Sequence, residues 1–271
     1  MSSSKRKRNP EGRMGLGAHL LELRKRIVIS ALAIVVAMVG GWFLSDMVWD
    51  FLRLPVIEIA AEYNRQAQIT FSDVTSSFDL KLRISFFIAV LIAAPIWLLQ
   101  VWLFFAPGLK RKEKLFAVGF MVSAIPLFGA GCYVAWMVLP NIVRILSVFS
   151  SSQDALLLDA RNYLDFATKL IFAIGVGFVL PVFIVLLNMM GILSAKSIWR
   201  GWRVAVLLVV LFTAAVTPAA DVISMFLLAI PMILLYFIAG LIALRHDKRL
   251  EKKQAAEFAP YADADSRDSA A

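Results

Sequence analysis

IVISALAIVVAMVGGWFL, residues Ile27 to Leu44, runs for eighteen residues without a charge. A helix that crosses hydrocarbon needs about 20 mainly apolar residues, because there the backbone can satisfy its hydrogen bonds only internally. Basic residues ahead of such a run imitate a secretory leader, but this run is too long for one and further runs follow it, so it reads as a retained span. Working outward, apolar stretches recur at Ile84 to Phe105, Leu115 to Leu139, Phe166 to Leu193, Val204 to Val216 and Val222 to Leu244. Polar stretches separate them. Ser45 to Lys81 and Asn141 to Asp165 are too polar for lipid and predict extracytoplasmic caps, the first holding short amphipathic elements such as Val48 to Leu54 before Pro55. Pro95, Pro126, Pro181 and Pro231 fall inside apolar runs, and Pro95 and Pro126 are candidate kinks. The fifth run is short: its 13 residues span only about 20 Å against a core of roughly 30 Å, so it must tilt little, borrow flanking residues or thin the bilayer. The expected fold is an all-α integral membrane protein with six transmembrane helices.

Composition agrees. Of 271 residues, 61% are hydrophobic, well above the apolar share of a soluble domain, which is roughly 45–50%. The net charge of +9 reads as a topology signal rather than a nucleic-acid surface, because it is concentrated beside the apolar runs. The side holding both termini carries 21 of the 28 Lys and Arg, which places both termini in the cytoplasm. The expected organisation is a basic cytoplasmic tail over residues 1–18, a membrane domain over 19–244 and a charged cytoplasmic tail over 245–271.

Little in the sequence points to chemistry at the membrane centre. Lys169 sits near the start of the fourth run and can snorkel to the interface, while Gln100 and Asn188 read as hydrogen-bond partners between helices. The single cysteine, Cys132, lies in an apolar run and reads as a buried free thiol. No phosphate-cradling loop, zinc-ligand spacing or nucleophile elbow is present, so no catalytic residue, metal or cofactor is expected. The informative residues flank the membrane on the cytoplasmic side. Glu22 lies among Arg24, Lys25 and Arg26, where an intrahelical pair with Lys25 or Arg26 is the local alternative to a binding role. Glu113 is likewise a lone carboxylate among Lys110, Arg111, Lys112 and Lys114, next to the aromatic stretch Trp102, Phe104, Phe105.

The order His19-Leu-Leu-Glu-Leu-Arg-Lys-Arg26 before a first span resembles the N-terminal signature of TatC proteins, the signal-peptide receptors of the twin-arginine translocase. Pro95 to Glu113, PIWLLQVWLFFAPGLKRKE, is similar to that family's second span and first cytoplasmic loop. Phe178 to Ile192, FVLPVFIVLLNMMGI, resembles its fourth span, and TPAAD and LLAIP resemble its last turn and sixth span. The blocks follow family order between His19 and Leu244.

The resemblance implies a receptor in a prokaryotic cytoplasmic membrane. It would bind the Arg-Arg pair of a folded cargo's signal peptide, self-associate, and work with TatA and TatB using the proton-motive force. By position, Glu22 and Glu113 match the family's two arginine-receiving glutamates, Arg24 its motif arginine and Phe104 an aromatic of the recognition patch. A guanidinium binds a carboxylate bidentately where lysine offers a point charge, which suits a preference for arginine. The resemblance also marks Pro55, Tyr163, Thr217 and Asp221 as structural or partner-contact positions. Two positions depart from it. Val179 stands where many members have Glu or Gln, so no mechanism needing a carboxylate there can operate, and Met225 stands where some members have Gln. The rival reading is a secondary transporter or channel for a small solute, and a scaffold without its own ligand is a third.

Overall fold

The computed structural model describes residues 16–62, 67–70, 75–105, 114–148, 156–218 and 221–268. The chain is nearly all helix: α1 (Leu16–Glu62), α2 (Ser76–Ile92), α3 (Ala94–Phe105), α4 (Lys114–Val148), α5 (Ala160–Met189), α6 (Ala195–Arg200), α7 (Trp202–Val216) and α8 (Val222–Asp268). Two four-residue strands, β1 (Ala67–Thr70) and β2 (Leu156–Asp159), pair in parallel with Ala67 opposite Leu156. Two compact units result: one holds α1 to α3, α4 up to Pro126, both strands and α5 up to Thr168, and the other holds the rest of α4 and of α5 with α6 to α8.

Each apolar run of the sequence is mostly helical, but helix ends and run ends differ. Four helical stretches, in α1, α4, α5 and α8, are long and apolar enough to cross a membrane. The second run is two helices, α2 and α3, meeting at a 58° bend, and α7 is a shorter apolar helix of 15 residues. The six expected crossings are reached only if the bent pair crosses once and α7 crosses at about 22 Å. The break falls at Ala93 rather than at Pro95 itself. Pro95 then lies in the first turn of α3, where a missing N–H costs nothing, and its ring avoids the carbonyl it would meet in a continuous helix. Pro126 lies within α4, which runs on without interruption.

Polar composition after Leu44 suggested short cap elements, yet α1 continues through Pro55 to Glu62. At 47 residues it is about 70 Å long, so it must project well beyond a hydrocarbon core of roughly 30 Å. In the same unit, Gly41 lets α1 and α2 approach closely, since a Cβ there would lie 2.4 Å from the Ser85 carbonyl oxygen. Tyr163, buried, donates its hydroxyl to the Leu52 carbonyl at 2.6 Å, joining α5 to the far half of α1. Lys81 pairs with Asp46 at 2.8 Å, and Asp79 accepts from both Arg83 at 2.8 Å and Arg161 at 2.6 Å. Such exposed pairs each contribute little, and the buried tyrosine bond and the strand pair do more to order this end.

In the other unit, α4 and α5 cross at glycine. A Cβ at Gly175 would lie 2.6 Å from the Cys132 sulfur and 2.9 Å from the Phe128 ring, so only glycine fits. Cys132 is a free thiol, half-buried rather than fully buried. Val179 is buried, and Lys169 is exposed. Large apolar side chains face outward elsewhere, Phe43 at 80% and Val36 at 72% exposure, as suits a chain whose solvent is lipid.

Candidate functional site

His19, Glu22 and Arg26 recur at three- and four-residue spacing, which puts them on one side of α1. That side meets α3, where Trp97, Gln100 and Phe104 follow the same period. The His19 ring stacks on Phe104 with centroids 4.5 Å apart and planes 22° from parallel. About two turns further along α1, Arg26 reaches in two directions. Its Nη2 donates to Glu22 Oε1, and its Nη1 donates to Gln100 Oε1 at 3.2 Å. Both charged side chains are largely withdrawn from water, Arg26 to 18% exposure and Glu22 to 21%.

The satisfaction of this pair is incomplete. Glu22 Oε2 and Arg26 Nε are both inaccessible to water and have no hydrogen-bond partner among the described residues. A carboxylate oxygen left bare in this way favours a further donor, since an unmet buried polar group costs about 1–3 kcal/mol. Beside it, α1 and α3 enclose a cleft of about 430 Å³. Leu23, Ile27, Ile34, Trp97, Val101 and Phe104 give it apolar walls, and Arg26 and Gln100 supply its polar groups. An arrangement of this kind can bind a cationic group at the carboxylate and an apolar segment beside it.

The structure therefore places Glu22, through Arg26, and Phe104, through His19, on the same α1–α3 contact, and leaves Arg24 off it. Two positions from Glu22 is more than half a helical turn, and Arg24 and Lys25 are both exposed. Glu113 lies outside the described residues. Pro55 lies within α1, and Tyr163 holds the Leu52 carbonyl. Thr217 ends α7, donating its hydroxyl to the Thr213 carbonyl at 2.9 Å. Asp221, also buried, caps α8 by accepting from the Ser224 backbone N–H at 2.8 Å. Gln100 and Asn188 both make the bonds between helices that their positions in apolar runs predict. Asn188 donates to Leu193 O and to Asp247 Oδ1, each at 2.9 Å. Sequence reasoning fell short at three residues. Arg26 was one of two candidate partners for Glu22, and its second bond to Gln100 depends on how α1 crosses α3. His19 carried only a motif position, and Asp247 lay in what reads as a solvated charged tail.

Comparison with known proteins agrees with this architecture. The family model described as Sec-independent protein translocase protein (TatC) matches residues 18–231. A relative from Xylanimonas cellulosilytica, named Sec-independent protein translocase protein TatC, is 41% identical over 90% of this chain and 88% of its own. One of the same name from Campylobacter jejuni is 32% identical over 89% of this chain and 98% of its own. A crystal structure described as a twin arginine translocase receptor, TatC, superposes with a TM-score of 0.70 at 26% identity, covering 83% of this chain and 99% of that one. A second, of the same description, gives a TM-score of 0.67 at 25% identity. With the family model matching most of its length and relatives above 30% identity spanning about nine-tenths of it, the chain belongs to the TatC family of Sec-independent protein translocase proteins.

Proposed function

We propose that this translocase protein is the membrane receptor for twin-arginine signal peptides, and that Glu22, beside Phe104 at the mouth of the α1–α3 cleft, receives one of the two arginines. The observation that carries the reading is Glu22 Oε2, an acceptor held out of water with no partner among the described residues, on the side chain paired with Arg26 of the apolar cleft. A guanidinium brings paired donors to such a carboxylate, and each charge-assisted bond contributes on the order of 1.5–3 kcal/mol. Glu113 receives the second arginine. Arg24 lies on the exposed side of α1, where it faces the aqueous approach and the lipid headgroups rather than the cleft.

The excess of Lys and Arg beside the termini supports a cytoplasmic placement of this face, in the cytoplasmic membrane of a prokaryote. Cargo-bearing peptides would then arrive from the compartment in which cargo folds. Transport itself belongs to an assembly with TatA and TatB, small single-span partners, and with further copies of this chain. The protein's part is recognition and assembly, and no catalytic residue, metal or cofactor enters it.

Photo-crosslinking tests the reading. A twin-arginine signal peptide carrying a photoreactive residue is added to membranes containing the wild type, Glu22→Ala or Glu113→Ala, alongside a twin-lysine peptide on the wild type. The expected result is a crosslink in the first case that is lost in the other three. A crosslink absent from the wild type, or indifferent to every change, contradicts the receptor and favours the small-solute transporter.

A further inference from the structure

We propose that Arg26 occupies Glu22 in the resting protein as a stand-in for cargo arginine, so that an incoming side chain binds by displacing it; the inference rests on Glu22 being the peptide's carboxylate. Three cations follow Glu22 within four residues, and two of them, Arg24 and Lys25, are exposed. Only Arg26 turns toward α3 and contacts the carboxylate. Its guanidinium is divided between two acceptors on two helices, Glu22 on α1 and Gln100 on α3. It therefore engages a single oxygen of Glu22, leaving Oε2 and its own Nε without a partner among the described residues. A fork-to-fork pair would use both carboxylate oxygens. The resident contact is thus weaker than the one a free guanidinium can make at the same carboxylate.

This geometry sets the terms of exchange. Removing one member of a half-buried ion pair leaves an uncompensated charge, so Arg26 does not leave an empty carboxylate behind. It leaves as another cation arrives. An incoming arginine conserves the charge and adds a second hydrogen bond, while an incoming lysine conserves the charge but has no planar fork to offer. The resident arginine therefore lowers the affinity for every incoming cation by the same factor, and the carboxylate itself sets the preference for arginine. Gln100 completes the device, because its neutral amide oxygen retains one arm of Arg26 while the other is released.

The test is a binding titration on the full chain in lipid nanodiscs. Fluorescent twin-arginine and twin-lysine signal peptides are compared on the wild type, Arg26→Gln, Arg26→Lys and Glu22→Gln. With the competitor removed, Arg26→Gln should bind the arginine peptide about fivefold more tightly and the lysine peptide by a similar factor, leaving the preference between them unchanged. Arg26→Lys should fall between it and the wild type. Weaker or unchanged arginine-peptide binding in Arg26→Gln, with Glu22→Gln still abolishing binding, overturns the stand-in and leaves the receptor intact. Unchanged binding in Glu22→Gln overturns the receptor itself and the stand-in with it. If Arg26→Gln does not accumulate in membranes, Arg26→Lys decides alone: tighter binding of the arginine peptide than by the wild type supports the proposal, and unchanged or weaker binding overturns it.

Discussion

Glu22 and Asp247 are carboxylates of similar exposure, 21% and 32%, each beside a helix–helix contact, and the protein serves them differently. Asp247, on α8, is satisfied at both oxygens: Oδ1 accepts from the Asn188 amide at 2.9 Å and Oδ2 from the Ala195 backbone N–H at 2.8 Å. Those donors come from the end of α5 and the first turn of α6, so one side chain fastens three segments. Glu22 has one described donor, the side chain of Arg26 on its own helix, and one oxygen with no described partner. Burial is similar in the two places. What separates a fastener from a receiving group is whether fixed donors use up the acceptor capacity.

That contrast predicts where substitutions act. Changes at fastening contacts should lower stability and leave peptide binding unaltered, and changes on the α1–α3 face should do the reverse. Asp247→Ala should have the largest effect on stability, about 3 kcal/mol, since it strands one N–H of the Asn188 amide and the Ala195 N–H. Thermal unfolding in detergent reads this as a fall of several degrees. A changed peptide preference in the same variant would break the distinction. Gly175→Leu comes next, at roughly 1–3 kcal/mol, because its side chain must displace Cys132 and Phe128. The same melting experiment checks it, and an unchanged melting temperature would mean that α4 and α5 do not cross this closely. Tyr163→Phe should cost least, about 1 kcal/mol, the value of the hydroxyl's bond to Leu52 O. Here the peptide titration matters more than the melt: a shift in arginine preference would tie the far end of α1 to the site.

The helices were legible because hydrophobic length is a one-dimensional signal, and lipid leaves little alternative to helix for such runs. Their ends were less so. Polarity after Leu44 marked residues outside the hydrocarbon, but it does not stop a helix, and α1 continues to Glu62. The β1–β2 pair joins residues nearly ninety positions apart through four-residue strands, too short to carry a periodic pattern. Pro95 signalled the bend between α2 and α3, and the break came two residues earlier because proline is at ease in a first helical turn.

At the site, four-residue spacing exposed the Glu22–Arg26 pairing as one of two options, and position in an apolar run exposed the bonding of Gln100. Nothing local disclosed that the two share one guanidinium, which follows only from the α1–α3 crossing. Asp247 was hidden for the opposite reason. It sits among Arg245, His246, Lys248 and Arg249, a composition that resembles a solvated tail, whereas α8 continues as helix to Asp268 and brings it to α6.

The most direct measurement is export of a folded reporter carrying a twin-arginine signal, in cells whose TatC-type subunit is this chain alone. Wild type is compared with Glu22→Gln at equal membrane abundance, and the reporter with its twin-lysine counterpart. The account predicts export by the wild type of the arginine reporter, little of the lysine reporter, and a loss of about tenfold or more in Glu22→Gln, as expected when a charged acceptor of bidentate bonds becomes a neutral one. Undiminished export through Glu22→Gln would contradict it.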